Sequence, residues 1–210
     1  MSSQEIIQAA DMDDLKNDVL RPVNLPELTI EEINSPEVQE LIARMEEFLA
    51  SEGANTVGLA ATQLGEQKNL AVIKMIPPEE IQKSRGIEPF EAVIINPSFE
   101  GIGEKLVVSP EGCLSTGTGD DGLMAMVERY PAIKASWLDK DGNPVEQILS
   151  GPAALVFQHE TEHLEGIIIT DKINPGSIST NSPEVVTSGD FKKMMGARAA
   201  ADANPGTRPE

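Results

Sequence analysis

His159-Glu160-Thr161-Glu162-His163 decides how this chain reads, because HExxH on a helix sets two imidazoles one turn apart on one face with a carboxylate beside them. Such a pentapeptide is a metal site with its own base. The chain has 2 histidines and both fall here, so neither is surplus structural usage. Ala153-Ala154-Leu155-Val156-Phe157 leads in and Ile167-Ile168-Ile169 leads out. Apolar flanks predict a buried helix, where a polar cluster costs too much to be accidental.

Two imidazoles do not complete a site. A catalytic divalent ion usually takes three protein ligands and keeps a further position for water. The single cysteine, Cys113 in Pro110-Glu111-Gly112-Cys113-Leu114-Ser115, has no intrachain disulfide partner. A free cysteine is most often a small buried hydrophobe. Against that stand the acidic Glu111 two positions earlier, a glycine that lets the backbone approach closely, and the lack of any other thiol. A site of Cys113, His159 and His163 is therefore expected.

Three short motifs now stand in order: Thr56-Val57-Gly58-Leu59-Ala60-Ala61-Thr62-Gln63, Glu111-Gly112-Cys113-Leu114-Ser115 and Gln158-His159-Glu160-Thr161-Glu162-His163-Leu164. They resemble the G-x-G-L-A-A-x-Q, E-G-C-L-S and Q-H-E-x-x-H-L motifs of the peptide deformylase family. Ile94-Ile95-Asn96-Pro97, Val127-Glu128-Arg129 and Asp139-Lys140-Asp141-Gly142 resemble further landmarks, so the similarity runs over roughly residues 18–173.

The resemblance implies an α+β fold in which antiparallel β-sheets pack around a central metal-binding HExxH helix, with an additional N-terminal helix. It implies one catalytic domain over 18–173, an acidic N-terminal extension over 1–17 and a C-terminal extension over 174–210, partly flexible, with a short helix near 190–200. It implies removal of the formyl group from the N-terminal formylmethionine of nascent polypeptides, with release of formate. Cys113, His159 and His163 would hold one divalent ion. Ferrous iron is the family's usual native metal, and Zn2+ or Ni2+ are alternatives in purified protein.

Charge gives the catalytic roles. One thiolate and two neutral imidazoles leave a divalent ion net positive, so it acidifies water. Glu160, beside His159 and not itself a ligand, is placed to act as general base and then acid. By resemblance, Gln63 supplies a side-chain N–H and Leu114 a backbone N–H to the tetrahedral oxyanion. The resemblance also implies that Val57, Gly58 and Gly112 meet an extended peptide and that Leu155 and Val156 wall the methionine pocket. For Glu111 the expected role is a salt bridge with Arg129 or another basic residue, in preference to catalysis.

Two departures from the family pattern touch the pocket. Thr56 stands where the family has its first glycine, and the segment from Ser115 to Val127 is longer and lacks the family's proline and basic residue. Altered side-chain preference is the expected consequence. Two other classes compete with the leading one: a zincin-type metallopeptidase, with Glu165 or Asp171 as third ligand, and an inactive metal-binding homologue.

With 210 residues and 40% hydrophobic content, the chain can bury a core without disulfides. One cysteine, no basic leader and no apolar run of roughly 20 residues predict a cytoplasmic protein without a membrane span. A formal charge of −19 argues against broad or sequence-specific nucleic-acid binding. The basic cluster at 191–198, Phe191-Lys192-Lys193-Met194-Met195-Gly196-Ala197-Arg198, reads equally as a contact with the ribosome exit region or as a solvated helix. A monomer is expected.

Along the chain, residues 1–20 read as an acidic helical lead. Thr29-Ile30-Glu31-Glu32 and Ser35-Pro36-Glu37 are capping signals before a periodic helix over 38–49. Residues 70–75 and 92–96 read as strands, 132–138 and 145–149 as a hairpin, and 77–89 as a surface loop. Ile167–Ile169 has the look of a strand, the glycine-rich 116–122 that of a flexible loop.

Overall fold

The structure, a computed structural model, describes residues 6–7, 20–53, 56–117, 119–172 and 185–193. Most of the expected helical lead, and the tail beyond 193, lie outside the described residues.

Both capping signals operate. The Thr29 hydroxyl accepts from Glu32 N–H at 3.3 Å while the Glu32 carboxylate accepts from Thr29 N–H at 2.8 Å, a reciprocal box that opens α1 (Ile30–Ile33). Ser35 caps α2 (Pro36–Glu52), where Pro36 sits in the first turn and lacks only an N–H the helix would not use. Val38, Leu41, Ile42, Met45 and Leu49 recur at helical spacing and are buried.

The strands are β1 (Gly58–Ala60), β2 (Leu70–Met75), β3 (Phe90–Gly101), β4 (Val107–Gly112), β5 (Leu123–Arg129), β6 (Ala132–Leu138), β7 (Pro144–Ser150) and β8 (Val185–Thr187). They form two antiparallel sheets, β1-β2-β3-β6-β7 and β4-β5-β8. Successive side chains on a strand point to opposite faces. Leu70, Val72, Val93 and Ile95 pack with α2, and Ala71, Ile73, Met75 and Ile94 pack with α4 (Pro152–Leu164) on the other face. Helices cover both faces, which is why Leu70, Ala71, Val72 and Ile73 of β2 are apolar and buried in succession instead of alternating.

The helix carrying the pentapeptide starts at Gly151, whose φ of 57° suits glycine, with Pro152 next in the first turn. Phe157 anchors α4 on the sheet against Trp137, ring centroids 5.5 Å apart. Gln158 adds a polar tether: its amide accepts from Tyr130 N–H at 3.0 Å and donates to Tyr130 C=O at 2.8 Å. α4 thus presents His159, Glu160 and His163 from a fixed rod.

Two expectations need correction. The stretch 77–89 is not wholly loop, since α3 (Glu79–Arg85) forms within it. This helix buries none of its residues and is held by charge, with Glu79 and Glu80 in its first turn, Lys83 and Arg85 in its last, and a Lys83–Glu79 ion pair. Without a buried face it leaves no apolar periodicity to read. Ile169–Lys172 is a 3-10 turn and not the end of a strand, because the Asp171 carboxylate accepts from Ile168 N–H at 3.0 Å and closes the chain on itself.

The two ends reach the folded unit. Ile7 N–H donates to the Gln63 carbonyl at 3.0 Å and Ile6 packs on the core beside α2. In the tail, β8 pairs with β5, and residues 188–193 are helical.

Candidate metal centre

His159 and His163 lie one turn apart on α4, and Cys113 stands at the end of β4, just before the 3-10 turn Leu114–Thr116. The three ligand atoms lie within 4.8 Å of one another, the group of that kind found among the described residues. His163 Nε2 is 3.2 Å from Cys113 Sγ and 3.2 Å from His159 Nε2. With both ring nitrogens as lone pairs beside a thiolate, this arrangement is repulsive, and a cation between the three atoms relieves it. For metal–nitrogen bonds of about 2.0–2.1 Å, two tetrahedral ligands stand about 3.3 Å apart. The donor set and its spacing therefore fit a divalent first-row ion.

Electrostatics point the same way. Burial resists ionisation of the Cys113 thiol, but His163 and His159 override it and hold the thiol well below its usual range. Burial likewise opposes protonation of His159, yet Cys113 and Glu111 keep its affinity for positive charge well above that of a free imidazole. The cavity favours a thiolate beside shared positive charge, a demand that a cation meets.

Glu111 fixes the first imidazole. Its Oε2 is 3.0 Å from His159 Nδ1, so with the proton on Nδ1 the Nε2 lone pair is turned to the centre. The carboxylate is also gripped by Arg129, whose Nε and Nη2 donate at 2.9 and 2.8 Å. Burial alone would raise Glu111, but the His159 and Arg129 contacts hold it at about 2. The expected Glu111–Arg129 salt bridge is thus present, and the contact to His159 extends it.

Arg129 itself is only 1% exposed and pairs through Nη1 with Glu162, which Lys172 also binds at 2.8 Å. A charge network running His159, Glu111, Arg129, Glu162, Lys172 therefore locks α4 to β4 and β5. Glu162 and Lys172 were not singled out from sequence. The available signal was an acid inside a buried helix, which requires a cation.

Glu160 is 3% exposed, and its Oε2 has no hydrogen-bond partner among the described residues. Burial pushes its carboxyl up, only partly offset by the two histidines. Gln63, buried in the 3-10 turn Ala61–Leu64, accepts from Ala60 N–H at 3.0 Å through Oε1. That fixes the amide so that Nε2 faces Cys113 Sγ at 3.5 Å and Ser115 Oγ at 3.2 Å.

A cleft of about 860 Å3 opens over this centre, a size suited to a ligand of several residues. It is lined by Val57, Gly58, Gln63, Gly112, Cys113, Leu114, Leu155, Val156, His159 and Glu160, so every expected site residue except His163 borders it; His163 lies beneath, 1% exposed. Thr56 borders it too, as do Ser188, Phe191 and Lys192 of the tail. Of the basic cluster, Lys192 pairs with Asp120 and Lys193 with Asp190, while 194–198 lie outside the described residues. The zincin alternative loses Asp171, whose carboxylate is taken by Arg21 at 2.8 Å and by Ile168 N–H.

A family model described as polypeptide deformylase matches residues 13–178. The chain is 34% identical to peptide deformylase 1A, chloroplastic, of Solanum lycopersicum over 73% of its own length and 56% of that protein. It is 43% identical to a peptide deformylase of Bifidobacterium adolescentis over 60% and 56%. The chain thus spans a little over half the length of these curated relatives. Among solved structures, a class I type b peptide deformylase of Acinetobacter baumannii bound to Met-Ala-Ser superposes with a TM-score of 0.66 at 25% identity, over 82% of this chain and 100% of that one. A peptide deformylase of Synechococcus elongatus in complex with actinonin gives 0.61 at 29%, over 83% and 84%.

Proposed function

The chain belongs to the polypeptide deformylase family, and from that premise we propose that it hydrolyses the N-formyl group of N-terminal formylmethionine on newly made polypeptides, releasing formate. The observation that carries the reading is convergence: Cys113, His159, Glu160 and Gln63 border one cleft with His163 directly beneath, although they come from three separate stretches of chain.

Cys113, His159 and His163 would hold one divalent ion, with ferrous iron as the native metal and Zn2+ or Ni2+ as substitutes. When bound, that ion supplies Lewis acidity, polarising the formyl carbonyl and lowering the pKa of water. Glu160 takes a proton from the attacking water and returns it to the amine nitrogen as the C–N bond breaks. Gln63 Nε2 and Leu114 N–H donate to the oxygen that gains charge, each worth about 3 to 4 kcal/mol in the transition state.

β1 and β4 are edge strands of their two sheets, and Gly58 and Gly112 on them border the cleft. An extended peptide lying between these edges would pair with both backbones, the formylated methionine against Leu155 and Val156. Thr56 and the loop at 117–122 would shift which side chains are preferred. The catalytic unit we assign is 18–173, acting as a monomer in the cytoplasm near the ribosome exit. Among the described residues no helix is long and apolar enough to cross a membrane.

The test is an anaerobic assay of formyl-Met-Ala-Ser beside its acetylated and unmodified forms. Formate from the first alone is expected. Cleavage at an internal peptide bond in all three would turn the assignment to a peptidase, and no reaction with any would turn it to an inactive homologue.

A further inference from the structure

Ser188, Phe191 and Lys192 lie outside the matched span 13–178, yet they form one border of the cleft. Their seating is built from several contacts. Val185–Thr187 pairs with Leu123–Ala125 as a third strand, Ser188 N–H donates to Gly122 C=O at 2.7 Å and its hydroxyl donates to the same oxygen at 3.0 Å. Gly189 abuts Asp120, and Lys192 Nζ pairs with Asp120 at 2.9 Å. The segment is thereby fastened to the loop after Ser115, the part of the chain that departs from the family pattern.

What this fastening brings to the cleft is apolar surface. Phe191 is half-buried and borders the cleft with Leu123 and Met124 of β5. Met124 is the register partner of Gly112, and its sulfur stands 2.9 Å from where a Cβ on Gly112 would be. Resting on the proposed deformylase reading, we infer that Phe191, with Leu123 and Met124, forms a specificity subsite for a bulky apolar side chain downstream of the formylated methionine. Lys192, through Asp120, positions the segment that carries it.

The experiment compares formyl-Met-Ala-Phe with formyl-Met-Ala-Ser on the full chain, and measures the Kd of Met-Ala-Phe and Met-Ala-Ser by calorimetry. Wild type should favour the Phe peptide through KM and Kd. Phe191→Ala should erase about tenfold of that preference in KM with kcat little changed, and Lys192→Ala should weaken it in the same direction. Lys193→Ala, which pairs with Asp190 and does not border the cleft, should keep the wild-type preference. An undiminished Phe preference in Phe191→Ala, or an equal loss on both peptides, would overturn the subsite. Absence of formate with Kd discrimination that still depends on Phe191 would overturn the proposed function while supporting the subsite.

Discussion

Gly58 lies flat beneath the Glu160 carboxylate: a Cβ on Gly58 would stand 2.2 Å from Glu160 Oε1 and 2.5 Å from its carboxyl carbon. No side chain fits there unless the carboxylate moves. β1 and α4 therefore meet through a glycine so that the proposed base can hold its place over the centre.

Gly58→Ala should displace Glu160 and leave the ligands in place. We expect kcat to fall by about a hundredfold, the cost of misplacing a reacting group by an ångström or so, with metal content unchanged by atomic emission. Wild-type kcat in this variant would separate Glu160's position from turnover.

Removing the Glu160 carboxylate outright should cost more. Glu160→Gln keeps the shape and the metal but loses the proton carrier, so kcat should drop by about 10^2 to 10^4. Turnover and metal measured on one sample give the answer; a loss of both together would make Glu160 a support of the centre.

Arg129 bridges two acids in the interior, so truncating it leaves Glu111 with His159 alone and Glu162 with Lys172 alone. Arg129→Met should cost about 3 to 5 kcal/mol in urea unfolding, and Glu111→Gln should weaken metal affinity by about 10- to 100-fold by freeing His159. A metal affinity unaltered by Glu111→Gln would remove Glu111 as the orienting partner of His159.

The same carboxylate sets a pH dependence. Glu111's folded value of about 2 lies below its ordinary 4.5. Its contribution, on the order of 3 kcal/mol, is thus fully present above about pH 4.5 and lost as pH falls towards 2. Urea midpoints for wild type and Glu111→Gln should differ most near pH 6 and converge only near pH 2, at the folded value; a constant gap would place the effect outside ionisation.

Most of the centre was legible because its chemistry needs rare residues. A lone cysteine and two histidines leave few ways to build a three-ligand site, and Glu111 with Arg129 paired as their charges suggest. The capped helix α2 and the strand β2 were legible from periodicity and apolar content. What escaped lacks such a signature. α3 buries no face, β1 is too short to alternate, and β8 gains its partner only when β5 comes alongside. Phe191 sat in a basic run whose charges distracted from its ring, and only the fold brings it to the cleft.

The central claim, that Cys113 and the two histidines share one ion, is tested most directly by loading the apoprotein with Co2+ and recording its near-ultraviolet spectrum. Cys113 is the chain's one cysteine, so a thiolate-to-cobalt charge-transfer band has a single possible source. We predict that band at one Co2+ per chain in wild type and in Glu160→Gln, and its loss in Cys113→Ser. Stoichiometric Co2+ binding by the wild type with no such band would contradict the account.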